Sequence, residues 1–105
     1  MDFDQTKAKP GGGSESKDVE LDFLVRTASE SDIPGLLEEF GLTAMEESIK
    51  RLIAGNSADY AFTAARGIND KVLQKKAAEE IIANKEGVYG YFARRLAEEF
   101  LKHQS

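Results

Sequence analysis

The residues best equipped for chemistry in this chain are its carboxylates and its one histidine, His103. Glu99 and His103 are spaced i,i+4, so on a helix they would share a face and could hold one metal ion between them. Two ligands fall short of a metal site, and a position close to the end of the sequence favours a frayed, solvated helix terminus. A serine nucleophile needs a positioned base, and His103 is the one imidazole on offer. The glutamates recur as neighbours, at Glu38-Glu39, Glu46-Glu47, Glu79-Glu80 and Glu98-Glu99. Adjacent helical residues point about 100° apart, so no such pair can share a proton as a carboxylate dyad. Cysteine is absent, which removes thiol nucleophiles, disulfides and cysteine zinc sites. Gly11-Gly12-Gly13 lacks the Gly-x-x-x-x-Gly-Lys-Ser/Thr spacing of a phosphate-binding loop and has no apolar strand before it. The expectation is a protein that is not an enzyme, with no cofactor and no metal.

Binding is the remaining chemistry. The formal net charge is −5 with a pI near 4.9, so the molecule as a whole repels a phosphate backbone, and nucleic acid is not the expected partner. No stretch has the length and apolarity of a membrane span, and the acidic start Met1-Asp2-Phe3-Asp4 is the reverse of a secretory signal. With no cysteine, these features give a cytoplasmic location as the expectation. The candidate contact residues are Tyr91, Arg94, Arg95 and Glu98, on the charged side of the last helical segment, together with Tyr60. Tyrosine and arginine concentrate binding energy at interfaces. The same spacing also lets Tyr91 and Arg95 stack within one helix, a purely structural use. The expected partner is another protein or a second copy of this chain.

These side chains need elements to hold them, and the periodicity supplies helices. Residues 1–17 read as a tail and linker, because Lys9 to Ser16 carries three glycines and nothing to bury; residues 18–105 read as a helical domain. Phe3 is a candidate docking anchor within that tail. Helices are expected over 32–40, 43–54, 57–66, 70–85 and 88–103. Val19 to Ala28 fits two patterns: Val19, Leu21, Phe23 and Val25 alternate as in a strand, while Leu21, Leu24, Val25 and Ala28 form a helical stripe. A lone strand would have to pair with another chain's edge, so a sixth helix over 18–28 is the expectation. The fold class is therefore all-α, a small bundle or short solenoid of antiparallel helices.

Caps mark the boundaries. Ser31 or Asp32 precedes Pro34 in the first turn of one segment, Gly41 ends it, and Thr43 with Glu46 has capping-box spacing for the next. Glu46 with Lys50, and Glu47 with Arg51, are expected as intrahelical pairs. Gly67 is placed in the left-handed position past a helix end, and Asn69 or Asp70 as the following N-cap. In the last segment Tyr89, Phe92, Ala93, Leu96, Ala97 and Phe100 are expected to face the core.

Between Ser57 and Glu86, Ala58, Ala61, Phe62 and Ala65 line one face, and Leu73, Ala77 and Ile81 line another beyond a Gly-Ile-Asn-Asp turn. This stretch resembles tetratricopeptide-like helical-hairpin repeats, although the Trp, Leu-Gly, Tyr and Pro positions of that pattern are not present together. The resemblance implies an antiparallel hairpin in an adaptor or small regulatory subunit. A second stretch, Phe23 to Pro34, looks like the opening strand and helix of acetyl-coenzyme A dependent N-acetyltransferases. Gly87-Val88-Tyr89-Gly90 approaches that family's cofactor loop with the second glycine one residue late. That resemblance implies a small acyl-coenzyme A-binding or acyltransferase-like subunit, and a fold with several strands where residues 43–84 read as helix.

Overall fold

The computed structural model describes residues 10–103, with side chains from Lys17 onward. Phe3 and the rest of the first nine residues lie outside the described part. The chain is all-α: α1 (Pro10–Thr27), a 3-10 turn (Glu30–Asp32), α2 (Ile33–Phe40), α3 (Leu42–Ala54), α4 (Ala58–Gly67), α5 (Lys71–Ala83) and α6 (Tyr91–Lys102). No strand occurs among the described residues, and no helix there is long and apolar enough to cross a membrane.

The ambiguous segment is the end of α1, with Leu21 and Val25 buried in the helical register and Val19 and Phe23 turned outward. The opening strand required by the acetyltransferase resemblance is thus the last turns of a helix. Its backbone is satisfied within the helix, so it needs no neighbouring edge. The helix begins at Pro10, ahead of the boundary expected at residue 18, and its backbone takes in the glycine run. Arg51 on α3 does not pair with Glu47 along its own helix as expected. It reaches across to Asp22 on α1, with Nε and Nη2 each 2.9 Å from a carboxylate oxygen, and Ser48 donates to the same carboxylate. Two donors held by a fork fit a carboxylate better than one flexible intrahelical contact, and they fix α1 against α3. The neighbouring carboxylate holds the Arg51 guanidinium pKa above its ordinary value, chiefly through these hydrogen bonds.

The helices stack in order, α1 on α3, α3 on α4, α4 on α5 and α5 on α6. Both expected stripes are core: Ala58, Ala61, Phe62 and Ala65 on α4, and Leu73, Ala77 and Ile81 on α5, are all buried. Between them the Asp70 carboxylate accepts from Leu73 N–H at 3.0 Å, as its position predicts. The other end of that turn and the start of α3 are built differently from expectation. The left-handed residue is Asn69, at φ 61°, and not Gly67, which is the last residue of α4. α3 also starts one residue before Thr43, with Gly41 at φ 92° as the joint, so no Thr43 capping box forms.

Glycine at position 67 answers to packing. A Cβ there would lie 2.6 Å from Ile33 Cβ and 2.7 Å from its Cγ2, and Ile33 is fully buried. Only a residue without a side chain lets α2 seat against the end of α4. Gly67→Ala should therefore destabilise the fold by about 1–3 kcal/mol, read as a lower urea midpoint. An unchanged midpoint would show that Ile33 can move aside.

Candidate functional site

The last two helices are linked by residues 84–90, longer than expected because α5 stops at Ala83 and α6 starts at Tyr91. Asn84 leaves the helix with ψ 117°, and its side chain accepts from Glu86 N–H at 3.1 Å. Gly87 follows at φ 77°. Tyr89 therefore belongs to the link and not to α6, yet its ring is buried as expected. Its hydroxyl accepts from the Ala58 N–H, the first free donor of α4, at 3.1 Å. Burial pushes the Tyr89 phenol pKa above its ordinary value, with the Ala58 N–H opposing that shift.

Arg94 makes the second tie. Its Nη1 donates to Asn84 O at 3.0 Å and lies 3.4 Å from Ile81 O, the carbonyls at the C-terminal end of α5 where a cation is electrostatically favoured. The contact residue expected at position 94 is thus occupied in capping α5. Held by these two groups, α6 turns Ala97 to the core, with Ala93, Phe100 and Leu101 half-buried beside it. Phe92 and Leu96, expected in the core stripe, are outside, at 81% and 46% exposure. The reason is the small face of α6: Ala93 and Ala97 permit closer packing on α5 than a face of Phe92 and Leu96 would.

The remaining expected site residues split between two flanks of α6. On one, the Arg95 guanidinium sits 5.9 Å from the Tyr91 ring centroid, and its Nη1 donates to the Tyr91 hydroxyl at 3.3 Å. The intrahelical stack is therefore formed. Tyr91 also meets Phe92 edge to face at 5.9 Å, which joins it to the exposed apolar surface. Glu98 lies exposed farther along this flank. Tyr60 is on the other flank, across a groove between α4 and α6.

α5 forms the floor of that groove. Its upper end is a cleft of about 190 Å³ lined by Tyr60, Thr63, Ile81, Ala93 and Leu96; its lower end is a cleft of about 350 Å³ lined by Arg66, Lys71, Gln74, Glu99, Phe100 and His103. Phe62 and Leu96 border both clefts, so the two adjoin along the groove. Phe62 and Phe100 meet edge to face at 5.4 Å across it. Early residues of α4 meet early residues of α6, so the two walls run in the same direction. Glu99 and His103 approach to 3.6 Å at the lower end, and no group of three or more metal-ligating side chains occurs among the described residues. Phe92 and Leu96 read from the sequence as core, and Lys71 and Gln74 do not read as site residues, because the roles of all four depend on the rotation of α6 and α5.

Three substitutions test how α6 is held. Tyr89→Phe leaves the buried Ala58 N–H without its acceptor and should lower stability by about 1–3 kcal/mol. Because the folded pKa is raised, the contribution of the protonated phenol is complete below about pH 10 and fades as pH climbs through the folded value. Wild-type stability should accordingly fall above about pH 10, and Tyr89→Phe should flatten that alkaline limb; an identical limb would dismiss the assignment. Arg94→Ala should cost about 1–2 kcal/mol through lost charged hydrogen bonds, whereas Arg95→Ala should stay within about 0.5 kcal/mol. Equal urea midpoints for the two arginine variants would remove the capping role.

Comparison of the chain with protein-family models, curated proteins and solved structures finds no match in any of the three. The functional reading therefore rests on the geometry of this face.

Proposed function

We propose that this protein is a non-enzymatic interaction module, an adaptor or small regulatory subunit, that binds another protein through the α6 face and the adjoining groove. The observation that carries the reading is the placement of Phe92. A phenylalanine 81% exposed, on a helix that buries only Ala97 outright, is an apolar anchor left uncovered. Leu96, Tyr91 and Tyr60 extend it into a surface of the aromatic and aliphatic kind that forms the centre of protein interfaces. Arg95 borders this surface with its guanidinium stacked, so little side-chain freedom remains to be lost on binding. The alanine-rich face of α6 holds the helix in place without using its large side chains, which leaves those side chains free for a partner.

The test pairs binding with stability. Phe92→Ala together with Leu96→Ala should weaken association with a partner captured from the native source by about 1–3 kcal/mol. The urea midpoint should move little, because neither side chain is part of the buried core. Sedimentation of the same variant examines a second copy as the partner. If capture and sedimentation match the parent, the α6 face is not the contact surface.

A further inference from the structure

Gln74 is a buried polar side chain at the border of the groove. It is only 3% exposed and borders the lower cleft, and the side-chain hydrogen bonds formed there between described residues, Arg66 with Glu30 and Asp70 with the Leu73 N–H, do not involve its amide. A buried amide left unpaired is unfavourable by the full loss of its hydration, so such a residue at the border of a cleft marks a position that a bound group can satisfy. One turn away on the same helix, Lys71 also borders the cleft and has no ion pair among the described residues. Of the other ionisable groups there, Arg66 is paired with Glu30 at 2.7 Å, and Glu99 lies 3.6 Å from the His103 imidazole. The unmet demand of the lower cleft is therefore for an acceptor with negative charge.

The helices around it add a direction. α4 and α6 both run toward the lower cleft, so their C-terminal carbonyl ends lie there, a partially negative environment. A helix lying antiparallel to them brings its own N-terminus to that end, with free N–H groups and a preference for acidic residues in the first turn. Such a terminus offers donors to the Gln74 carbonyl oxygen and a carboxylate to its NH₂ and to Lys71. From Ala93 to His103 the groove spans about 15 Å, roughly three helical turns. Leu96, 46% exposed at the boundary of its two clefts, would receive apolar side chains that repeat on one helix face. Resting on the interaction-module reading above, we infer that the groove takes a single amphipathic helix of a partner protein, antiparallel to α4 and α6, with an acidic first turn seated on Gln74 and Lys71.

The probes are two synthetic helical peptides with the same leucine stripe, one carrying glutamates in its first turn and the other lysines at those positions. Each is titrated to about 1 mM into the full isotope-labelled chain, with amide shifts followed by NMR. The acidic peptide should bind at least about ten-fold tighter than the basic one and shift the Gln74 side-chain amide signals. Gln74→Leu should raise the urea midpoint and shrink the acidic preference, and Lys71→Glu should reverse it. Leu96→Asp should abolish both interactions. Equal binding of the two peptides, lost in Leu96→Asp, would overturn the acidic specificity and leave the docking face standing. A preference for the acidic peptide that survives both Gln74→Leu and Lys71→Glu would also overturn it. Absence of shifts along α4, α5 and α6 with either peptide would overturn the groove and the interaction reading together.

Discussion

Short side chains set the distance between α4 and α5, and the rest of the architecture is built around that distance. Ala58, Ala61, Ala64 and Ala65 on α4, with Ala77 and Ala78 on α5, have no exposed surface. Methyl groups in such positions let helix axes approach toward the lower end of the usual 8–10 Å range. The α6 helix repeats the device with Ala93 and Ala97, so α5 is gripped closely on two sides. Phe62, Leu73 and Ile81 fill the buried space that the alanines leave. Phe62 meets Phe100 edge to face, and the two clefts adjoin at Phe62 and Leu96. The groove is a by-product of close packing beneath it.

Polar ties then decide which way α6 turns. A helix whose buried contribution is mainly methyl groups gains little area on docking and is weakly oriented by apolar burial alone. Tyr89 fixes the start of the helix to the first N–H of α4, and Arg94 fixes it to the last carbonyls of α5. Both anchor points are helix termini, where backbone groups lack intrahelical partners and accept outside ones. Directional hydrogen bonds thus set a rotation that non-directional burial would leave loose, and the rotation places Phe92 outside.

Periodicity made the α4 and α5 stripes legible, since each is a face of uniformly small or aliphatic residues with charges elsewhere. The Asp70 cap was legible for a similar local reason. Gly67 was not, because the same letter serves a left-handed turn or a close contact, and the contact is with Ile33 on a helix distant in sequence. The partner of Arg51 depends on how α1 rotates, so a plausible intrahelical glutamate displaced the true one in the reading. For α6 the difficulty was width. Apolar residues cover more than half of its circumference, and amphipathicity alone does not choose between a small face and a large one. Of the expected contact residues, Tyr91 and Arg95 do stand together, Tyr60 stands across the groove, and Arg94 is spent on structure.

An acidic ligand helix on a protein of net charge −5 raises an electrostatic objection that distance resolves. At physiological ionic strength, exposed charges farther apart than about 8 Å are largely screened. The total charge therefore acts mainly on the rate of encounter, whereas the groups within the cleft govern the bound state. There Glu30 is engaged with Arg66 and Glu99 lies beside the His103 imidazole, and Lys71 and the Gln74 amide are the donors that face a ligand helix. A carboxylate seated beside them is partly withdrawn from solvent, where its attraction to Lys71 is screened less than that of surface pairs. Repulsion at long range and attraction at short range are compatible, and their combination disfavours loose, non-specific acidic contacts while permitting a helix that presents its apolar stripe and its acidic end together.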